Sequence, residues 1–231
     1  MKILDNIELP RIPTKTDFIN EGFTIITTKG SVIVEMQYPI LGMNKAESNC
    51  YLRNEAAQRL YHASTLLPNN YHLKIYDAWR SFALQEELYL TYKQRIINDF
   101  NLQKLSPKEQ NEIITKYVSF PRRNINTPPV HTTGGAVDVT IVDERGLELQ
   151  MGTKFDDFCA MANTAYFENR SDIIIRDNRR LLYNVMTKAG FTNLPSEWWH
   201  YDYGDWFWSY YSGHPVLYQG VFSKEELNDY C

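Results

Sequence analysis

The chain carries five histidines, His62, His72, His131, His200 and His214, and two of them sit in local sequences that could do chemistry. His131 opens the run His131-Thr132-Thr133-Gly134-Gly135-Ala136-Val137-Asp138. On an unbroken strand, seven residues would put His131 and Asp138 on opposite faces. Gly134 and Gly135 can take positive φ and break that count, so the two side chains could converge. Spacing alone favours the plainer reading, a loop histidine and a strand aspartate bonded to backbone. His200 closes Glu197-Trp198-Trp199-His200. On a turn or bulge, Glu197 and His200 would face one side. The two indoles would then form apolar walls that raise the proton affinity of the carboxylate. An aromatic core strand with a hydrogen-bonded histidine fits that run equally well.

Taken together, the two runs say more. Two neutral imidazoles and one carboxylate suit Zn²⁺ with a fourth position open for water. An additional unligated carboxylate, Glu197, is what metal-assisted hydrolysis needs as a general base. The HExxH helix of many zinc peptidases is absent, so the architecture would differ. Arg80 is the third element, at the end of the apolar stretch HLKIYDAW. Its guanidinium is permanently charged and presents a rigid fork of donors. At a strand end it could stabilise an oxyanion. A surface ion pair with Asp77 or Glu86 is the ordinary alternative. His62, His72 and His214 read as packing or surface residues.

These side chains need a scaffold. Residues 23–28 and 31–38, rich in β-branched side chains, predict a hairpin about Lys29-Gly30. Residues 54–67 have apolar positions at helical spacing. Residues 72–79 read as a buried strand and 81–100 as a long helix. Ser106-Pro107-Lys108-Glu109 is a helix start with a capping box, and its helix should run to about 118. Residues 136–142 and 198–203 read as strands. Residues 154–168 and 172–189 read as helices, the second stopped at Gly190. Strands and helices mix without regular alternation, which predicts α+β.

At 231 residues and 43% hydrophobic content, the chain can bury one core, so residues 1–231 read as a single domain. A net charge of −4 and the lack of a basic stripe argue against nucleic acid. Cys50, Cys159 and Cys231 form no CxxC pair, which argues against a cysteine metal site and for a reducing compartment. The first residues lack the apolar core of a secretory leader. No window of about 18 apolar residues occurs, so no membrane span is expected. A cytoplasmic chain is the simplest expectation, although a processed secreted one would look the same.

Four stretches resemble the D-alanyl-D-alanine dipeptidases, which include the VanX-type enzymes of glycopeptide resistance. They are YDAWR (76–80), HTTGGAVDVT (131–140), MGTKFD (151–156) and NRRLLYNVMTKAGFTNLPSEWWHY (178–201). The resemblance spans about residues 72 to 203. It implies a small α+β zinc peptidase fold shared with D,D-carboxypeptidases and the hedgehog domain, with a mainly antiparallel sheet and flanking helices. It implies one Zn²⁺ held by His131, Asp138 and His200, Glu197 as general base, and Arg80 on the tetrahedral intermediate. Asp156 falls on the carboxylate that receives the substrate's ammonium group. A helix N-terminal aspartate is the plainer reading of that residue. Tyr38 aligns loosely with a pocket tyrosine.

The implied substrate is a small D,D-dipeptide, in a closed pocket lined by Trp198, Trp199 and tyrosines. A D,D- or L,D-carboxypeptidase acting on longer wall peptides, and a non-catalytic zinc module, are the rivals. The sequence departs from the family pattern at Pro129, usually Ser, at Trp79, usually Tyr, and at Ser81, usually Pro. These departures bear on substrate choice rather than on the metal.

Overall fold

The computed structural model describes residues 10–12, 15–124 and 127–230. The first nine residues, read above for a leader, and Cys231 lie outside the described residues.

The chain runs β1 Phe23–Ile26, β2 Val32–Val34, α1 Gln37–Ile40, β3 Cys50–Arg53, α2 Asn54–Thr65, β4 Tyr71–Asp77 and α3 Phe82–Asp99. It continues with α4 Pro107–Ile114, β5 Ala136–Asp143, α5 Ile173–Lys188, β6 Thr192–Asn193, β7 His200–Asp202, α6 Trp206–Ser212 and α7 Lys224–Asn228. Short 3-10 turns occur at Leu102–Lys104, Val130–Thr133 and Ala160–Ala162.

Five strands form the main sheet in the order β2-β4-β5-β7-β6. The β2–β4 pairing is parallel and the other three are antiparallel. This is the α+β, mainly antiparallel architecture with flanking helices that the sequence predicts. β5 lies at the centre and is buried along nearly its whole length. Its alternation divides the labour between the two faces. Val137, Val139 and Ile141 join the main core, which also takes in Leu60 and Ala63 of α2 and Leu182 and Met186 of α5. Asp138 and Thr140 face the other way. Leu60, Leu73, Ile75 and Ile141 are fully buried, and burial stabilises each by about 1.5–3 kcal/mol.

A second cluster joins Tyr38 to Leu88, Tyr92 and Ile96 of α3, and to Leu102, Ile114 and Val118. The segment after α3 thus forms a small core of its own rather than a bare surface loop. Ser81 caps α3 by accepting from the Leu84 amide. The capping box at α4 forms as its sequence predicts, with the Ser106 amide donating to the Glu109 carboxylate at 2.8 Å.

Several expectations are corrected. Residues 23–28 and 31–38 do not form a hairpin: β1 pairs with β3 in a separate two-stranded sheet, and β2 joins β4. The Lys29–Gly30 turn is real, with a single bridge between Lys29 and Val32. Tertiary partners override that local pairing because Ile26 and Val32 both reach the core. Residues 154–168 are not a helix but turns around Ala160–Ala162. α4 stops at Ile114, four residues before the expected end at 118. The last predicted strand shrinks to His200–Asp202. No helix among the described residues is long and apolar enough to cross a membrane.

Candidate active site

The sheet register aligns the site. Asp138 of β5 lies directly opposite His200 of β7 and, on its other side, opposite Asp77 of β4. Cross-strand neighbours of this kind have Cβ atoms about 5 Å apart. One row across three strands therefore carries three functional groups. His131 arrives from the 3-10 turn Val130–Thr133, which docks on the end of β4 through a bond from the Arg80 amide to the His131 carbonyl (3.2 Å). Gly134 then takes φ +75° and turns the chain into β5. A Cβ at Gly134 would lie 2.2 Å from the Phe23 ring, so no larger residue fits. Gly134 alone takes the positive φ that the spacing argument requires, while a Cβ at Gly135 would lie 2.1 Å from the Tyr203 carbonyl; the turn brings His131 and Asp138 to one point.

His131, Asp138 and His200 are all buried, and one ligand atom from each lies within 4.8 Å of the others. His131 Nδ1 donates to the Ala78 carbonyl at 2.7 Å, leaving Nε2 with its lone pair. Nε2 of His200 donates to Asp202 at 2.7 Å, leaving Nδ1 with its lone pair. Those two lone-pair nitrogens face each other at 3.2 Å. Asp138 Oδ1 stands 2.9 Å from His200 Nδ1, and Asp138 Oδ2 stands 3.5 Å from His131 Nε2. Three acceptors that converge this closely repel one another unless a positive charge lies among them. The donor set, two neutral imidazoles and a carboxylate with their outer nitrogens fixed by backbone and Asp202, fits a divalent metal ion. Burial pulls the His200 imidazolium down, but Asp202 and Asp138 outweigh it and hold its pKa well above the ordinary value. Burial likewise opposes ionisation of Asp138, yet the two imidazoles hold it below the usual carboxylate range.

Glu197 stands beside this group without joining it. Its Oε2 lies 4.0 Å from His200 Nδ1. A turn puts the two on one side: the Glu197 amide donates to Leu194 and the His200 amide donates to Glu197. Asn193 pins that turn through its Nδ2, which donates to the carbonyls of both Glu197 (3.1 Å) and His200 (2.9 Å). Burial pushes the Glu197 carboxyl up to about 8, with His200 pulling the other way.

Arg80 is buried, so the surface ion-pair reading fails in part. It does pair with Asp77 (2.5 Å), but it also reaches Asp138 (3.2 Å) and donates to Gln85 (3.3 Å) and the Tyr38 hydroxyl (3.1 Å). Asp156 caps no helix. It adopts φ +56° in a loop, and its Oδ2 accepts from Tyr38 (3.0 Å) and Tyr92 (2.7 Å). Burial raises its carboxyl to about 6, against the pull of Arg80 and the two phenols.

All six predicted residues line one cavity, open to water over about 50 Å³, together with Tyr38, Tyr92, Tyr117 and Phe207. The expected tryptophan walls are corrected. Trp198 and Trp199 are almost fully buried in the main core and stay out of this cavity. Gln85, Tyr92 and Asp202 are site residues that sequence reasoning missed, and Asp77, named there only as a surface partner of Arg80, is buried in the site. Asp202 had a local signal, since it follows His200 by two on the same strand and so shares its face. Tyr92 sits amid an ordinary helix and had none.

The mixed sheet gathers three metal-capable side chains beside a carboxylate that stays outside their group. The chain belongs to the family of D-ala-D-ala dipeptidases, whose model matches residues 41–216. It is 31% identical over 183 residues to the D-alanyl-D-alanine dipeptidase of Synechocystis, covering 71% of this chain and 74% of that one. It is 40% identical over 72 residues to the D-alanyl-D-alanine dipeptidase of Escherichia coli, covering 31% and 36%.

Proposed function

We propose that the chain, residues 1–231 acting as one domain, is a zinc-dependent enzyme that hydrolyses D-alanyl-D-alanine or a similar small D,D-dipeptide. The proposed ligands of one Zn²⁺ are His131, Asp138 and His200. A divalent ion held there supplies a Lewis acid and makes water acidic enough to attack at neutral pH. Glu197 takes the proton of the attacking water and returns it to the departing amine. Arg80 offers a preorganised positive charge where the scissile carbonyl becomes tetrahedral and negative. Asp156 receives the substrate's ammonium group.

One arrangement carries this reading. Arg80 and Asp156 are bridged by a single hydroxyl, that of Tyr38, at 3.1 and 3.0 Å. The anion that would take an amine thus sits one side chain away from the cation that would face the carbonyl. That spacing suits a substrate whose free amine belongs to the residue carrying the scissile carbonyl, as it does in a dipeptide. A D,D- or L,D-carboxypeptidase, the rival within hydrolases, would need a groove for a longer peptide. Retention of both Glu197 and Arg80 argues against a zinc module without turnover. Cell-wall peptide salvage, or removal of D-alanyl-D-alanine under glycopeptide challenge, would use such an enzyme in the cytoplasm.

The test is ninhydrin detection of alanine released from D-Ala-D-Ala, from L-Ala-L-Ala and from a wall pentapeptide ending in D-Ala-D-Ala. Release from the D,D-dipeptide alone is expected. Faster release from the pentapeptide would select the carboxypeptidase reading. Metal-loaded protein that cleaves none of the three would select the binding module.

A further inference from the structure

We propose that Tyr92 is a specificity-determining positioning residue: its hydroxyl, delivered by α3, fixes the Asp156 carboxylate as the receptor for the substrate's ammonium group. The proposal rests on the reading of Asp156 given above and adds the element that makes that receptor work.

Asp156 has a local problem. It sits in the left-handed region at φ +56°, which residues with a Cβ adopt at a cost, and no helix or strand holds it. Its carboxylate must nevertheless point into the cavity. Two phenols meet that need by donating to the same oxygen, Oδ2, from Tyr92 at 2.7 Å and Tyr38 at 3.0 Å. With Oδ2 committed, Oδ1 is the oxygen left for a ligand.

The two phenols are not equivalent. The Tyr38 hydroxyl is shared, since it accepts from Arg80 while donating to Asp156. Tyr92 makes the shorter bond. Its ring also packs edge-on against Phe158, two residues beyond Asp156, with centroids 4.9 Å apart. Tyr92 thus holds both the carboxylate and the loop behind it. It stands on α3, the helix that begins two residues after Arg80, so one rigid element spaces the amine receptor from the guanidinium. Removing only the hydroxyl leaves the ring contact and lets Asp156 turn away from the amine.

The experiment compares wild type, Tyr92→Phe and Asp156→Asn in two assays: steady-state hydrolysis of D-Ala-D-Ala, and inhibition by N-propanoyl-D-alanine, which lacks the amine. For Tyr92→Phe, KM for the dipeptide rises about tenfold, as expected for one hydrogen bond to a charged group, while kcat changes less than about twofold. The inhibition constant of the amine-free analogue stays at the wild-type value, because that ligand makes no use of Asp156. A purely structural role would instead weaken dipeptide and analogue alike, or lower kcat, and either result overturns the proposal. A raised KM in Asp156→Asn with an unchanged KM in Tyr92→Phe overturns the role of Tyr92 alone. An unchanged KM in Asp156→Asn overturns the assignment of Asp156, and the proposal falls with it.

Discussion

Glu197→Gln is expected to lower kcat by roughly 10²- to 10⁴-fold while metal content per chain stays at the wild-type value. The amide keeps the size of the side chain but can neither accept a proton from water nor return it to the leaving amine. Glu197 lies 4.0 Å from His200 and outside the three-acceptor group, so the substitution leaves that group intact. Burial raises the Glu197 carboxyl from an ordinary 4.5 to about 8 in the metal-free chain. A buried acid whose pKa rises on folding binds more protons folded than unfolded. Its ionisation therefore costs stability increasingly between about pH 4.5 and pH 8. The metal-free Glu197→Gln variant should accordingly melt above wild type at pH 8, and the gap should close toward pH 4.5. A bound dication pulls the same carboxyl down, which lets it serve as a base at neutral pH. Turnover should fall as pH drops through its value in the loaded enzyme. Calorimetry of both proteins across pH, together with single-turnover kinetics, checks these points. Near-normal turnover in Glu197→Gln would remove it from the base role.

The second large effect is on the metal. His200→Ala deletes one of the three proposed ligands and also strands Asp202, whose Oδ1 accepts from His200 Nε2 at 2.7 Å. Loss of an orienting partner alone typically costs 10- to 100-fold in metal affinity, so loss of the ligand is expected to cost more than about 100-fold. Competition against a chromogenic chelator reads that loss directly. Asp202→Asn keeps the ligand and still accepts a hydrogen bond through its carbonyl, so its affinity should fall between wild type and His200→Ala. Equal zinc affinity in wild type and His200→Ala would mean that the ion sits elsewhere.

The sequence made some of this legible and hid the rest for physical reasons. His131, Asp138, Glu197 and His200 stand in short runs whose glycines and turn geometry can be argued locally, and the structure brings all four together. Asp77 was legible as a partner of Arg80 but not as a buried one, and Gln85 has no such signal, because it is tied to the site only through Arg80. The tie between Tyr92 and Asp156 spans 64 residues, and no local pattern encodes it. The tryptophan pair misled because apolar bulk next to a catalytic run reads as a pocket wall. In the fold it is core, with Trp198 held by its indole on Thr153 at 2.8 Å. The β1–β2 hairpin failed for a related reason. A good turn at Lys29-Gly30 fixes the chain reversal but not the strand partners, which long-range burial decides. Residues 154–168 looked helical by composition, yet the loop must place Asp156 in a left-handed conformation that a helix excludes.

One ion is expected among the side chains of His131, Asp138 and His200. Anomalous diffraction recorded on both sides of the zinc absorption edge, from crystals grown with zinc, tests it most directly. One strong peak per chain is expected, bounded by His131 Nε2, His200 Nδ1 and an oxygen of Asp138, with Glu197 beside it and unligated. A peak at another place, or none within bonding reach of those three atoms, would contradict it.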